Sequence, residues 1–88
     1  MLASDPILAL GAIGTSFISR SEARRRLEGL ERFHFVTVDF QGVEGVGQGF
    51  VDEVFRVWAN SHPTVKLEPV NMSPVVEFMV RRGLKTRP

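Results

Sequence analysis

The residues whose types and spacing could do chemistry gather between Phe35 and Trp58, which read FVTVDFQGVEGVGQGFVDEVFRVW. Glycines stand at Gly42, Gly45, Gly47 and Gly49, and carboxylates at Asp39, Glu44, Asp52 and Glu53. A glycine-rich turn between a strand and a helix is the setting in which backbone amides approach a phosphate. The dinucleotide spacing then fails. Started at Gly45 and Gly47 it meets Phe50 where the third glycine belongs, and started at Gly47 and Gly49 it meets Asp52. No Gly-Lys-Ser/Thr follows, so there is no P-loop, although Glu68 ends a strand where a ribose-binding carboxylate would lie. Asp52 and Glu53 also add negative charge where a pyrophosphate would sit. Carboxylates at a helix start suit the positive end of its dipole without any metal. We therefore expect no cofactor and no metal. A small-ligand or nucleotide sensor built on turn 42–49 is the alternative reading.

The remaining reactive side chains do not assemble into a catalytic set. His34 and His62 have no ligand spacing and read as a strand-end and a loop residue. Ser16, Ser19, Ser21, Ser61 and Ser73 fall at turns or caps, none in a nucleophile elbow. No catalytic residue is assigned, and the expectation is a non-enzyme.

The chain has 88 residues, a net charge of +1 and no cysteine. That length makes one domain, 1–88, with loose ends at 1–5 and 85–88, and a thin core. The charge gives no pull toward nucleic acid or an anionic membrane. Without cysteine there is neither a disulfide nor a thiolate metal site. The apolar run Pro6–Ile13 is too short to cross a bilayer and has no basic residue ahead of it. A cytoplasmic protein is expected.

Pattern and punctuation predict the elements that must position the glycine turn. Ile7–Leu10 and Thr15–Ile18 read as short strands around Gly11 and Gly14. Ser19-x-x-Glu22 has capping-box spacing and opens a helix over 20–32, with Ala23, Leu27 and Leu30 on one face. Arg24, Arg25 and Arg26 read as a solvated face with ion pairs. Phe33–Phe40 is a strand with Val36, Val38 and Phe40 on one side and Thr37 and Asp39 on the other. The central helix spans 48–60, and a last strand covers 64–70. Ser73-Pro74 opens a final helix with Val75, Val76, Met79 and Val80 inward and Gly83 just past its end.

Both good strands alternate apolar with polar, so the sheet packs helices on one face only. We expect a two-layer α/β sandwich: a small mixed sheet of about four strands with three helices on one face. Phe50, Val51, Val54, Phe55, Val57 and Trp58 cover more than half of the central helix, which must be sandwiched or meet a partner. Phe55 or Trp58 left over for a second chain would favour a homodimer.

Val38-Asp39-Phe40-Gln41-Gly42-Val43-Glu44-Gly45-Val46 resembles the core signature of STAS domains, the sulphate transporter and anti-sigma factor antagonist modules. Two further runs resemble a STAS-like family of unknown function: Arg20-Ser21-Glu22-Ala23-Arg24-Arg25 at a helix start, and Gly47-Gln48-Gly49-Phe50-Val51-Asp52-Glu53-Val54-Phe55-Arg56-Val57. Leu67 to Met72 is similar to that family's closing segment, so the resemblance spans about residues 15–84. It implies a STAS-like α/β sandwich and a regulatory protein partner, since related domains often lie beside a histidine-kinase-like ATPase. Anti-sigma factor antagonists carry a phosphorylated serine where this chain has Gly47-Gln48-Gly49-Phe50, so that switch does not carry over. The expected interaction surface is Glu44, Gly45, Gly47, Gln48, Gly49, Asp52, Glu53 and Arg56.

Overall fold

A computed structural model describes residues 5–85. In chain order these form β1 (Ile7–Ala9), a 3₁₀ turn (Leu10–Ala12), β2 (Ser16–Phe17), α1 (Arg20–Leu27), a second 3₁₀ turn (Leu30–Arg32) and β3 (Phe35–Asp39). Then come β4 (Gly45–Val46), a continuous central helix α2 (48–61), β5 (Lys66–Val70) and α3 (Pro74–Lys85). The ends expected to be loose lie mostly outside the described residues, and Lys85 closes α3 instead.

The expected mixed sheet of about four strands is replaced by five strands in two sheets, with every pairing parallel. The main sheet has the order β1-β3-β5, and β2 pairs with β4 apart from it. The cause is connectivity. α1 lies between β1 and β3, and α2 lies between β3 and β5, and crossovers of this kind return the chain in the same direction. The strand 15–18 does not extend the main sheet because its carbonyls are taken by the turn after β3.

The alternation read from sequence survives. Val36, Val38 and Phe40 are buried, while Lys66 and Glu68 are exposed and Ile7 is 65% exposed on the open face. The helices lie on the buried side, as the one-faced pattern requires. Lys66 donates its amide to His34 across the sheet. By the two-residue period, Leu67 and Pro69 turn their backbone nitrogens to the free edge. Proline there has no N–H to offer another strand.

Four helical expectations are corrected. The first helix stops at Leu27 rather than Arg32, because Gly29 adopts φ +87° and Leu30–Arg32 winds into a 3₁₀ turn. Its cap forms by half: the Ser19 hydroxyl accepts the Glu22 amide at 3.2 Å, and among the described residues Glu22 makes no return bond. The last helix runs on to Lys85, so Gly83 is an interior residue and not a terminator. A Cβ at Gly83 would lie 2.4 Å from Val51 Cγ1, so glycine lets α3 close on α2. Val75, assigned inward, is 62% exposed, while Val76 and Val80 are buried and Met79 half-buried.

The central helix is sandwiched between α1 and α3. Phe50, Val51, Val54 and Trp58 are buried, with Phe17 and Phe50 tilted against each other at 5.4 Å. Each such side chain contributes about 1.5–3 kcal/mol. Trp58, one of the two residues expected to await a second chain, is covered by its own core and stacks on His62 at 4.3 Å. Residues 53–58 of α2 are wound as a π-helix, which no periodicity argument anticipated. No described helix is long and apolar enough to cross a membrane.

Candidate interaction site at the opening of the central helix

The turn from β3 to α2 is built around the chain's own second strand. Val43 donates its amide to the Phe40 carbonyl at 2.9 Å, with Gly42 at φ +86°. Glu44 and Gly45 then donate to Thr15, Gly47 donates to Phe17, and Phe50 donates to Ile18. A Cβ at Gly47 would stand 2.8 Å from the Ile18 carbonyl oxygen, so this glycine admits that backbone. Most amides that a phosphate would need are therefore bonded within the fold. The Gly49 amide, second in the helix, has no intrahelical carbonyl to reach.

Beside this turn the two charged signature runs meet. Arg20 Nη1 donates to Asp52 Oδ2 at 2.6 Å. Arg56, one helical turn after Asp52, donates through Nη2 to Oδ2 at 2.8 Å and through Nε to Oδ1. Glu53, only 5% exposed, lies 3.7 Å from Arg20 Nη1 and 3.5 Å from Arg24 Nε. One network thus pins the start of α1 to the first turns of α2. The Arg56 and Arg20 donors hold the Asp52 carboxyl at a pKa of about 2. The same contact raises the pKa of Arg56.

A cleft of about 410 Å³ opens next to the network, lined by Arg20, Gln48, Gly49, Asp52 and, from the apolar side, Val51, Met79 and Gly83. Of the eight residues expected to form an interaction surface, Gln48, Gly49 and Asp52 line this cleft. Arg56 stands behind it, bonded to Asp52. Glu44 is exposed on the turn, Gly45 pairs with Ser16 in β4, and Gly47 caps α2 against Ile18. Glu53 is a correction: it is buried, because consecutive helix positions diverge by about 100° and Asp52 takes the outer one. Arg20, Val51, Met79 and Gly83, which also line the cleft, were absent from the expected surface. The Arg20–Asp52 contact spans 32 positions, beyond any local pattern. The one available sign was that both runs resemble one family.

Other candidate groups have structural duties. Asp39 Oδ1 accepts the Gln41 amide at 2.9 Å and the Asn71 carboxamide at 3.0 Å. It ties the end of β3 to the residue after β5, where Asn71 holds φ +56°. The Asn71 bond and then the Gln41 amide lower its pKa. His34 is an exposed residue just before β3, and the His62 ring nitrogen Nδ1 lies 3.0 Å from the Trp58 carbonyl at the end of α2. Among the described residues, no group of three or more His, Cys, Asp or Glu side chains is placed to hold a metal ion.

The lowered carboxyls set the acid response. A carboxylate whose pKa falls on folding contributes stability that is full above its unfolded pKa, about 3.9, and is lost as pH drops through the folded value. For Asp52 that window runs down to about 2. Urea midpoints are expected to hold from pH 7 to 5 and fall below pH 4, and Asp52→Asn should flatten that fall. An unchanged pH profile in the variant would remove Asp52 from the linkage.

No curated protein and no solved structure matches the chain. A family model does, over residues 23–77: the STAS-like domain of unknown function. That span holds the strand–turn–helix core, β5, and the Arg24, Asp52, Glu53 and Arg56 members of the network, while Arg20 lies just before it. Matched over residues 23–77, more than half of its length, the chain belongs to the family of STAS-like domains of unknown function.

Proposed function

We propose that this domain is a non-catalytic regulatory protein-interaction module that binds its partner at the opening of α2, acting with a histidine-kinase-like ATPase and without a phosphorylatable serine. One observation carries the reading. Arg20, Asp52 and Arg56 form a pinned frame next to a cleft at the surface, with Gln48 exposed on its lining and Glu44 exposed on the turn before it. Such a frame holds an exposed edge rigid, and rigidity limits the ordering cost of association.

Co-expression with a histidine-kinase-like ATPase encoded beside the domain, followed by calorimetry, tests this. The double variant Glu44→Arg with Gln48→Ala changes exposed side chains only. It should weaken the complex by about tenfold, roughly 1.4 kcal/mol, with little change in melting temperature. Absence of a complex at tens of micromolar, or normal binding by the variant, overturns the assignment. Incubation with ATP and that partner should leave residues 41–53, which contain no Ser, Thr or Tyr, unphosphorylated by mass spectrometry.

A small-ligand role is the second reading, and the cleft is what favours it. It moves the ligand from turn 42–49, whose amides are largely occupied, to the space between Arg20 and Met79.

A further inference from the structure

We propose that the cleft between α2 and α3 takes a carboxylate carried next to an apolar group. Its walls divide by chemistry. One side presents Arg20, whose Nε and Nη2 have no partner among the described residues, together with the Gln48 carboxamide and the side-chain-free backbone of Gly49. The other side is Val51, Met79 and Gly83, which carry no charge. The volume of about 410 Å³ falls in the range of ligand pockets, about 300–1,000 Å³.

Charge decides the class of ligand. Asp52 also lines the cleft, but Arg20 and Arg56 both bond it, and across the network three arginines face two carboxylates. The surplus is one positive charge, which suits a monoanion. A phosphate dianion would bring a second negative charge beside Asp52, and a cation would meet Arg20. The free edge of a guanidinium is a planar fork matched to the two oxygens of a carboxylate. Met79, unbranched and polarizable, adapts to an apolar group of varied shape beside it.

The carboxylate has two sources: an acidic side chain of a docking protein, or a free small acid. The first rests on the interaction reading above. The two can fail separately, since loss of the ATPase complex leaves the titration below unaffected and a silent titration leaves that complex intact.

The experiment is an amide NMR titration of the domain with isovalerate and, in parallel, isovaleramide. Isovalerate should shift the Gln48, Gly49 and Gly83 amides with saturation in the millimolar range, and isovaleramide should bind about tenfold or more weakly. Gln48→Glu places a like charge at the mouth on an exposed helix-start position that tolerates acid. It should weaken isovalerate by about tenfold while leaving melting temperature unchanged or slightly raised. The capped dipeptides N-acetyl-Glu-Leu-amide and N-acetyl-Gln-Leu-amide separate the sources. A glutamate peptide that binds more tightly than isovalerate identifies a protein side chain, and the reverse order identifies a small acid. Equal binding of acid and amide, no saturable shift at the three amides, or an unaltered response in Gln48→Glu overturns the proposal.

Discussion

Replacing Glu53 with lysine is expected to lower the stability of the domain by about 3–5 kcal/mol. Glu53 is 5% exposed and sits between the guanidinium groups of Arg20 and Arg24. The substitution removes the anion and buries an ammonium against two cations. Breaking one partner of a buried ion pair costs about 3–5 kcal/mol, because a charge is left uncompensated away from water. Natural domains hold about 0.05–0.15 kcal/mol per residue, which for this length is roughly 4–13 kcal/mol in all. The loss therefore takes from about a quarter to all of the stability. Glu53→Gln keeps the shape without reversing the charge and should cost much less, about 1–3 kcal/mol. Urea unfolding followed through Trp58, the one tryptophan in the chain, reads both variants. A lysine variant as stable as the wild type would show that Glu53 reaches solvent and that the network does not pin α1 to α2.

The second large effect is expected at Gly11, which takes no part in the Arg20–Asp52 network. A Cβ there would stand 1.7 Å from the Gln41 carbonyl oxygen and 2.9 Å from its carbon. Both are backbone atoms, so no side chain can swing aside. The 3₁₀ turn after β1 must move away from the turn after β3, where Gly42 is committed to φ +86° and Val43 to its bond with Phe40. Overpacking usually costs about 1–3 kcal/mol, and a clash with backbone belongs at or above the top of that range. In a domain of this size each 1 kcal/mol moves the melting temperature by about 4–8 °C, so Gly11→Ala should lose about 12 °C or more. Gly45→Ala is the control, since nothing lies within 4 Å of its added carbon. Equal melting temperatures for the two variants would show that the β1 turn does not pack against Gln41.

Two kinds of glycine and two kinds of acid look alike in the sequence. Gly45 and Gly47 belong to one turn, yet only Gly47 has the Ile18 backbone against it. Asp52 and Glu53 are neighbours, yet the first lines a cleft while the second is buried. Surface variants aimed at partner binding must therefore use Gln48 and Glu44 and leave Glu53 alone.

Local chemistry determined what depends on near neighbours. The alternation of Phe35–Asp39 settles which strand face is buried, because side chains alternate with a fixed period of two. Ser19 and Ser73 mark helix starts because their hydroxyls reach amides three residues on, at 3.2 Å in both cases. The glycine turn, the start of α2 and the family signature were legible for the same reason. Tertiary structure alone decided the rest. Whether 15–18 joins the main sheet depends on carbonyls being taken by amides near residues 44–50, a pairing that no spacing within either segment encodes. Gly83 reads as a helix terminator until Val51 is seen against it. The ion network needs two helices brought together by burial of Ala23, Leu27, Phe50 and Val54, so charges 32 positions apart acquire their partners only after the apolar core has packed, and the cleft needs the last helix as well.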